Sequence, residues 1–375
     1  MLNKFIFHAH AWLGFICSLF LLAVAITGIA FALSGPLLHI ETGAFPSEEA
    51  RSPDSPVNIE RHVEAAKKAT SAAFIPLGYI GGFAEIETPI EMVYGLSSLP
   101  EQGGEVQIVT FNPNTDDIID SFYLDRTITH HIIDFHYTLL LGNIGLLVMA
   151  VVGILMAIMA VLGIVMWWPR RFTFLVFKRK ALYLNLRASL TQINFNLHSV
   201  IGFWGATAII VWGLTGAFWS KPDWQPSWML PNTDSLPADK QARLETMTCE
   251  ATVTISDAVA IAREKFPNAV VLEAEFPVPW QPYHILYLSN GNDVDTKDGD
   301  TRVWVSASCK DIVHVEENEG LHLVGAANNS VHAGTSFGIM RLPIILSVGL
   351  ALIFLSVTGL VLWWRRYIKS RVIPL

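Results

Sequence analysis

The chain has 375 residues, 52% of them hydrophobic, with a mean hydropathy of +0.42 and a formal net charge of −8. The apolar excess falls in four long runs, which excludes an ordinary soluble enzyme and indicates a polytopic membrane protein with soluble segments between its spans. No nucleic-acid partner is expected; a lipid membrane is.

The first run, Phe5 to Ser34, exceeds the length of about 20 apolar residues that crosses a bilayer as a helix. It is too long for the core of a cleaved signal peptide and is echoed later in the chain, so residues 1–36 are expected to stay as a transmembrane helix, stopped at Ser34-Gly35-Pro36. It carries His10, Gly14, Cys17, Thr27 and Gly28, while His8 points to the opposite side from His10.

Residues 37–134 then read as a soluble α+β module. A loop rich in Ser, Pro and Glu runs to Pro56, and an amphipathic helix covers Asn58 to Ala69. Alternating strands follow at Ala84 to Tyr94, Val106 to Phe111 and Ile118 to Tyr123, with a turn at Asn112 to Asp116. Residues 135–168 form the second span, which begins with His136 and includes Gly142, Gly153, Gly163, Trp167 and Trp168. The connector, 169–195, holds Arg170, Arg171, Lys178, Arg179, Lys180 and Arg187 with no acid. The third span, 196–220, carries His198, Gly202, Thr215 and Gly216.

A second outer segment, 221–330, repeats the order of the first after a lead-in rich in Pro and Trp. Ser256 is placed to cap a helix that ends before Phe266-Pro267. Strands follow at Val270 to Phe276, His284 to Leu288, Arg302 to Ser306 and Ile312 to Val315, with a hairpin loop from Asn290 to Asp300. Cys249 and Cys309 both lie here, where an oxidising compartment permits either a disulfide or two free thiols. The fourth span, 331–365, carries His332, Gly338, Arg341, Gly349, Gly359, Trp363 and Trp364, and a basic tail, 366–375, ends the chain.

The spans repeat. His10, Gly14, Thr27 and Gly28 recur as His198, Gly202, Thr215 and Gly216, each 188 positions later. His136, Gly142, Gly153, Gly163, Trp167 and Trp168 recur as His332, Gly338, Gly349, Gly359, Trp363 and Trp364, each 196 positions later. Four helices thus read as two copies of a two-helix unit, each helix bearing one histidine. The acid-free connector and tail place both termini in the cytoplasm and the two modules outside, by the positive-inside tendency.

The stretch Ile255-Ser256-Asp257-Ala258-Val259-Ala260-Ile261-Ala262-Arg263-Glu264-Lys265-Phe266-Pro267 resembles the helix of a PepSY domain, and Asn58 to Ala69 matches it more weakly. With the helix ends Gly163 to Trp168 and Gly359 to Trp364, nearly the whole chain resembles the PepSY-associated transmembrane family. Iron-regulated proteins of the bacterial inner membrane and ferric-siderophore reductases belong to that family. The resemblance implies two b-type haems, and His10, His136, His198 and His332 are the positions onto which the axial ligands are carried. His131 and His130 are the substitutes for His136.

Ionisable groups at membrane depth face a cavity, a cofactor or each other, and imidazole is a good haem ligand. A proton or ion path and interfacial packing are the other readings of the same residues. Gly14 and Gly202 lie one turn from His10 and His198, and Gly28 and Gly216 return to the same faces about 27 Å further along, which leaves room for a flat macrocycle. Gly142 and Gly338 do not follow this logic and read as close helix packing. Arg341 has a haem propionate or the outer interface as its choices. Trp224, Trp228, Trp280, Tyr283, His284 and Trp304 are candidate docking aromatics for a siderophore, or simply core.

No GxGxxG follows a strand, and GxxxxGK[ST], HExxH and CxxCH are absent from the sequence, so no built-in flavin, nicotinamide, nucleotide or covalent-haem site is expected. An external electron donor, a quinol or a cytoplasmic reductase, is then required. The expectation is a four-helix inner-membrane protein with an internal two-fold repeat and two periplasmic α+β PepSY-like modules, reducing a ferric siderophore or other ferric chelate to release Fe(II). The competing classes are a histidine-dependent proton or metal transporter and a non-catalytic PepSY sensor or inhibitor.

Overall fold

The structure is a computed structural model, and it describes every residue except 1, 44–57, 82–90, 113–114, 170–172, 183–184, 186, 227–235, 248, 292, 295–298, 318–321 and 370–375. The expected loop up to Pro56, most of the Ala84 to Tyr94 strand, Arg170, Arg171, Trp228 and the end of the tail lie outside the described residues. In chain order the helices are α1 (Leu2–Ala32), α2 (Ser34–Thr42), α3 (Ile59–Ala69), α4 (Ile128–Thr138), α5 (Gly142–Trp167), α6 (Phe174–Leu182), α7 (Leu190–Ser220), α8 (Ala238–Thr246), α9 (Ile255–Lys265), α10 (His322–Ala333) and α11 (Arg341–Trp364). The strands are β1 (Ile75–Ile80), β2 (Glu91–Leu96), β3 (Val106–Phe111), β4 (Ile118–Tyr123), β5 (Val270–Glu275), β6 (Tyr283–Ser289), β7 (Thr301–Ser306) and β8 (Ile312–Glu317). The chain divides into a helical unit, Met1–Ala32, Ile132–Gln225 and Ile339–Leu375, and an α/β unit, Leu33–His131 and Pro226–Gly338.

Among the described residues four helices are long and apolar enough to cross a membrane: Lys4–Ala32, Gly142–Trp167, Leu190–Ser220 and the stretch Ala327–Ile368 that contains α11. The protein is a multi-pass membrane protein. Within the helical unit α5 packs on α7 where two glycines face each other. A Cβ on Gly153 would fall on the Gly213 carbonyl oxygen, and one on Gly213 would come within 2.6 Å of the Gly153 carbonyl. Lipid supplies no hydrophobic drive between helices, so such close backbone approach is what holds them. On the other side a Cβ on Gly349 of α11 would stand 2.6 Å from Ile29 Cγ1 of α1. Cys17 is buried in the cluster with Leu21, Val152, Met156 and Ile209, a packing residue as expected.

Two boundaries differ from expectation. His136 is not on the second span but on α4, which ends at Thr138. The chain then turns through Leu139, Leu140 and Gly142, at φ 53°, 60° and 55°, before α5 begins. His332 is likewise on α10, and Gly338, at φ 50°, separates it from α11. Gly142 and Gly338 therefore break the helices rather than pack between them, because left-handed backbone suits a residue without a Cβ. α1 ends at Ala32, just before Ser34-Gly35-Pro36 as expected, but that tripeptide is not a loop. It opens α2, since proline is tolerated in a first helical turn.

In the α/β unit the two expected modules are one. The eight strands form a single antiparallel sheet in the order β4-β3-β2-β1-β5-β6-β7-β8, joined where Gly78, Tyr79 and Ile80 pair with Glu275, Ala274 and Glu273. β1 was hidden in the sequence by Pro76 and Gly78. Both are accommodated where the β1–β2 register shifts, and Gly78 gives the Tyr94 hydroxyl its space. α3 and α9 share one face of the sheet, and one core runs from Ile59, Ala66, Tyr79 and Val109 to Ala258, Leu286 and Val303. Ser256 is not the cap of α9. Thr254 is, in a reciprocal capping box with Asp257, and Ser256 donates to Glu60 Oε2 at 2.9 Å instead.

Cys249 and Cys309 form a disulfide with a Cα–Cα distance of 5.2 Å. Trp304 is wholly buried, and His284 donates from its ring to the Val253 carbonyl at 2.9 Å, so both belong to the core rather than to a docking surface. Burial pushes the His284 pKa below 6.5, against the opposing pull of the Val253 carbonyl. The unfolded chain therefore takes up a proton near pH 6.5 that the folded chain resists, and stability falls as pH drops from there toward the folded value. Thermal unfolding of the α/β unit should move to lower temperature between pH 7 and pH 5, and His284→Gln should flatten that dependence.

Candidate functional site

Of the four repeated histidines, two meet inside the helical unit. The ring centroids of His10 on α1 and His198 on α7 are 6.4 Å apart, with planes at 79°. Each ring is fixed from behind. His10 Nδ1 donates to the Met159 carbonyl of α5 at 3.0 Å, and His198 Nδ1 lies 2.8 Å from Thr358 Oγ1 of α11. The Thr358 hydroxyl itself donates to the Phe354 carbonyl at 2.7 Å, so it accepts from the imidazole. Both rings thus carry the proton on Nδ1 and keep the Nε2 lone pair.

Glycines make this placement possible. A Cβ on Gly163 would stand 3.3 Å from His10 Cε1, and one on Gly359 would stand 3.3 Å from His198 Cε1. These two glycines and Thr358 are the supporting residues that the sequence reading did not assign. A Cβ on Gly14 would stand 3.8 Å from Met159 Sδ and one on Gly202 3.6 Å from Leu355 Cδ2, ordinary van der Waals distances.

His136 occupies a second place in the same unit, at the far end of α1 from His10. Its Nδ1 lies 3.1 Å from the Val24 carbonyl and 3.2 Å from Thr27 Oγ1. Gly28 faces this ring, with its absent Cβ 2.9 Å from His136 Cε1, so the glycine that was read as sharing the His10 face makes room for an imidazole from another helix. Gly216 lies on α7, half-buried. His332 is on α10 of the α/β unit, and Arg341 is the first residue of α11. His130 faces Asp125 at 3.5 Å and His131 is exposed. His8 bonds the Tyr367 hydroxyl at 2.7 Å, away from His10 as expected.

The His10–His198 pair fits a metal with two axial imidazoles. Nitrogens about 2 Å either side of one metal atom put the ring centroids slightly more than ~6 Å apart. The neutral tautomer with Nδ1 engaged is the one such ligation needs.

The family model described as the PepSY-associated TM region matches residues 7–366, nearly the whole chain. No curated protein matches it.

Proposed function

Since the chain belongs to the PepSY-associated transmembrane family, we propose that it is a b-type haem protein of the bacterial inner membrane that carries electrons outward to a ferric chelate, most simply a ferric siderophore, and so releases Fe(II). The observation that carries this reading is the His10–His198 pair, two half-buried imidazoles 6.4 Å apart with both Nδ1 atoms engaged. His10 and His198 would hold one haem. His136 would help to hold the other. Iron-porphyrin held there would supply one-electron chemistry.

The chain's own residues set the conditions for that chemistry. The Met159 carbonyl and the Thr358 hydroxyl lock ring orientation and raise the basicity of Nε2. Gly163, Gly359 and Gly28 let three imidazoles lie flat against neighbouring helices. Gly14, Gly202 and Gly216 line the same helix faces. Arg341, a cation at a helix start where the dipole disfavours it, is a candidate partner for a propionate. The donor is external, a quinol or a cytoplasmic reductase, because the sequence carries no nucleotide or flavin motif.

The disulfide supports placing the α/β unit in an oxidising periplasm, with both termini and the basic connector in the cytoplasm. An internal two-fold repeat of the spans is supported by matched contacts. Phe15 stacks on Trp363 at 3.8 Å, and Phe203, 188 places after Phe15, stacks on Trp167, 196 places before Trp363, also at 3.8 Å. His10 bonds the Met159 carbonyl, and His198 has its counterpart, the Leu355 carbonyl, as a backbone partner.

Purified protein should show a Soret band with sharp reduced-state bands and two haems per chain, and ferric chelates should reoxidise the reduced form. A folded, haem-supplied preparation without a Soret band excludes the reading in favour of a transporter or sensor. Gly28→Leu should displace the His136 ring and remove one haem while the His10–His198 site keeps its spectrum, measurable as a halved haem-to-protein ratio.

A further inference from the structure

Away from the histidines of the spans, His62, Glu91 and Asp116 bring one donor atom each to within 4.8 Å of the others. We propose that they form a binding site for a divalent transition-metal cation in the α/β unit. His62 Nε2 stands 3.3 Å from Asp116 Oδ1 and 3.4 Å from Glu91 Oε2. Donors bound at about 2.0–2.2 Å in a tetrahedron lie ~3.3–3.6 Å from one another, so these separations are the edges of a coordination polyhedron. As hydrogen bonds both separations are longer than the usual ~2.7–3.2 Å, and one Nε2 proton would have to be shared between the two carboxylates.

The site is built, not incidental. His62 is 1% exposed and Glu91 is 0% exposed, and the Asp116 side chain is 21% exposed. The His62 ring is held by Tyr79, stacked at 5.8 Å, and by Phe111, edge-on at 4.5 Å. Glu91 is paired with Phe111 across β2 and β3, which puts its carboxylate beside that ring. Asp116 reaches in from the β3–β4 turn with φ at 60°, a left-handed conformation that aspartate tolerates better than most residues. Two carboxylates converging on a largely buried imidazole favour a cation among them. Arg61 Nη1 lies 3.3 Å from Asp116 Oδ2, on a side chain that is 64% exposed.

The fold does not require the trio. α9 has eleven residues, as α3 does, and holds buried Ala258 at the position that His62 takes in α3. β6 begins with Tyr283, paired with Ser306 at the end of β7, where β2 begins with Glu91 paired with Phe111 at the end of β3. One nitrogen and two carboxylate oxygens suit Zn2+, Mn2+ or Fe2+ rather than a thiophilic ion such as Cu+. Bound metal would tie α3 to β2 and to the β3–β4 turn, and so stabilise the α/β unit by mass action.

The test uses tag-free full-length protein in detergent, stripped with chelator and titrated with Zn2+ and separately with Mn2+. Metal content is read by elemental analysis and stability by thermal unfolding. Wild type should bind one equivalent more than Asp116→Asn or Glu91→Gln for at least one of the ions, and only wild type should gain unfolding temperature. Asp116→Asn keeps a residue that accepts left-handed backbone on a partly exposed turn, so its fold survives the change. All variants should keep the Soret band, which separates this outcome from the fate of the haem reading. Equal uptake of both ions by wild type and Asp116→Asn, or no uptake by either, overturns the site.

Discussion

Replacing His198 by alanine should cost the protein one of two haems and all electron passage to an outer ferric chelate. The pair is mutually dependent, because His10 alone offers a single axial nitrogen. Its carbonyl anchor at Met159 fixes the ring but supplies no second ligand. The haem-to-protein ratio should fall by half, and His10→Ala should give the same spectrum as His198→Ala. A gentler change separates ligand from support. Thr358→Val removes the acceptor 2.8 Å from His198 Nδ1 and keeps the imidazole. Partners of this kind are worth ~10–100-fold in metal affinity or activity. The valine variant should therefore retain the band with weaker haem retention and a shifted midpoint potential. If the His198→Ala protein keeps its full haem complement, the pairing is wrong whatever the activity shows.

Breaking the Cys249–Cys309 disulfide should be the largest single loss of stability in the α/β unit. The bridge closes a loop with a sequence separation of 60 residues, for which chain-entropy reasoning gives about 4 kcal/mol. That is a large share of the roughly 5–15 kcal/mol that holds a typical domain together. Cys309→Ser, or reduction of the native protein, should lower the unfolding temperature of this unit and leave the haem bands in place. The same pair reports topology. In intact cells the two sulfurs should resist thiol alkylation until a reductant is added. Labelling without reductant would contradict an oxidising compartment for the α/β unit.

The sequence announces the histidines and their spacing because duplication leaves a fixed offset, 188 for one helix pair and 196 for the other. Periodicity then tells which residues share a helix face, but not which neighbour that face meets. Gly28 was accordingly read with His10, whereas it stands against His136. Gly163 and Gly359 went unassigned because their meaning lies in a ring on another helix. The break after α4 was invisible for a different reason. Leu139 and Leu140 are apolar and carry no breaker signal, yet both adopt left-handed backbone at a cost of ~1–3 kcal/mol each. The His62, Glu91 and Asp116 cluster had no pattern to find, since a helix, a strand and a turn bring together residues that share no local spacing. Apart from β1, the strands were legible from alternation. The pairing of β1 with β5 was not, because contact between distant segments leaves no local trace.

That pairing has a consequence for how the protein is made. β1 is complete by Ile80, but its neighbour β5 does not begin until Val270. At bacterial synthesis rates of ~5–20 residues per second, the first segment waits ~10–40 s for its other half. During that interval one side of β1 is an open strand edge, ready to template the wrong partner. Maturation of the α/β unit therefore calls for a holding chaperone, and synthesis of the first half alone should yield aggregates rather than a smaller folded domain.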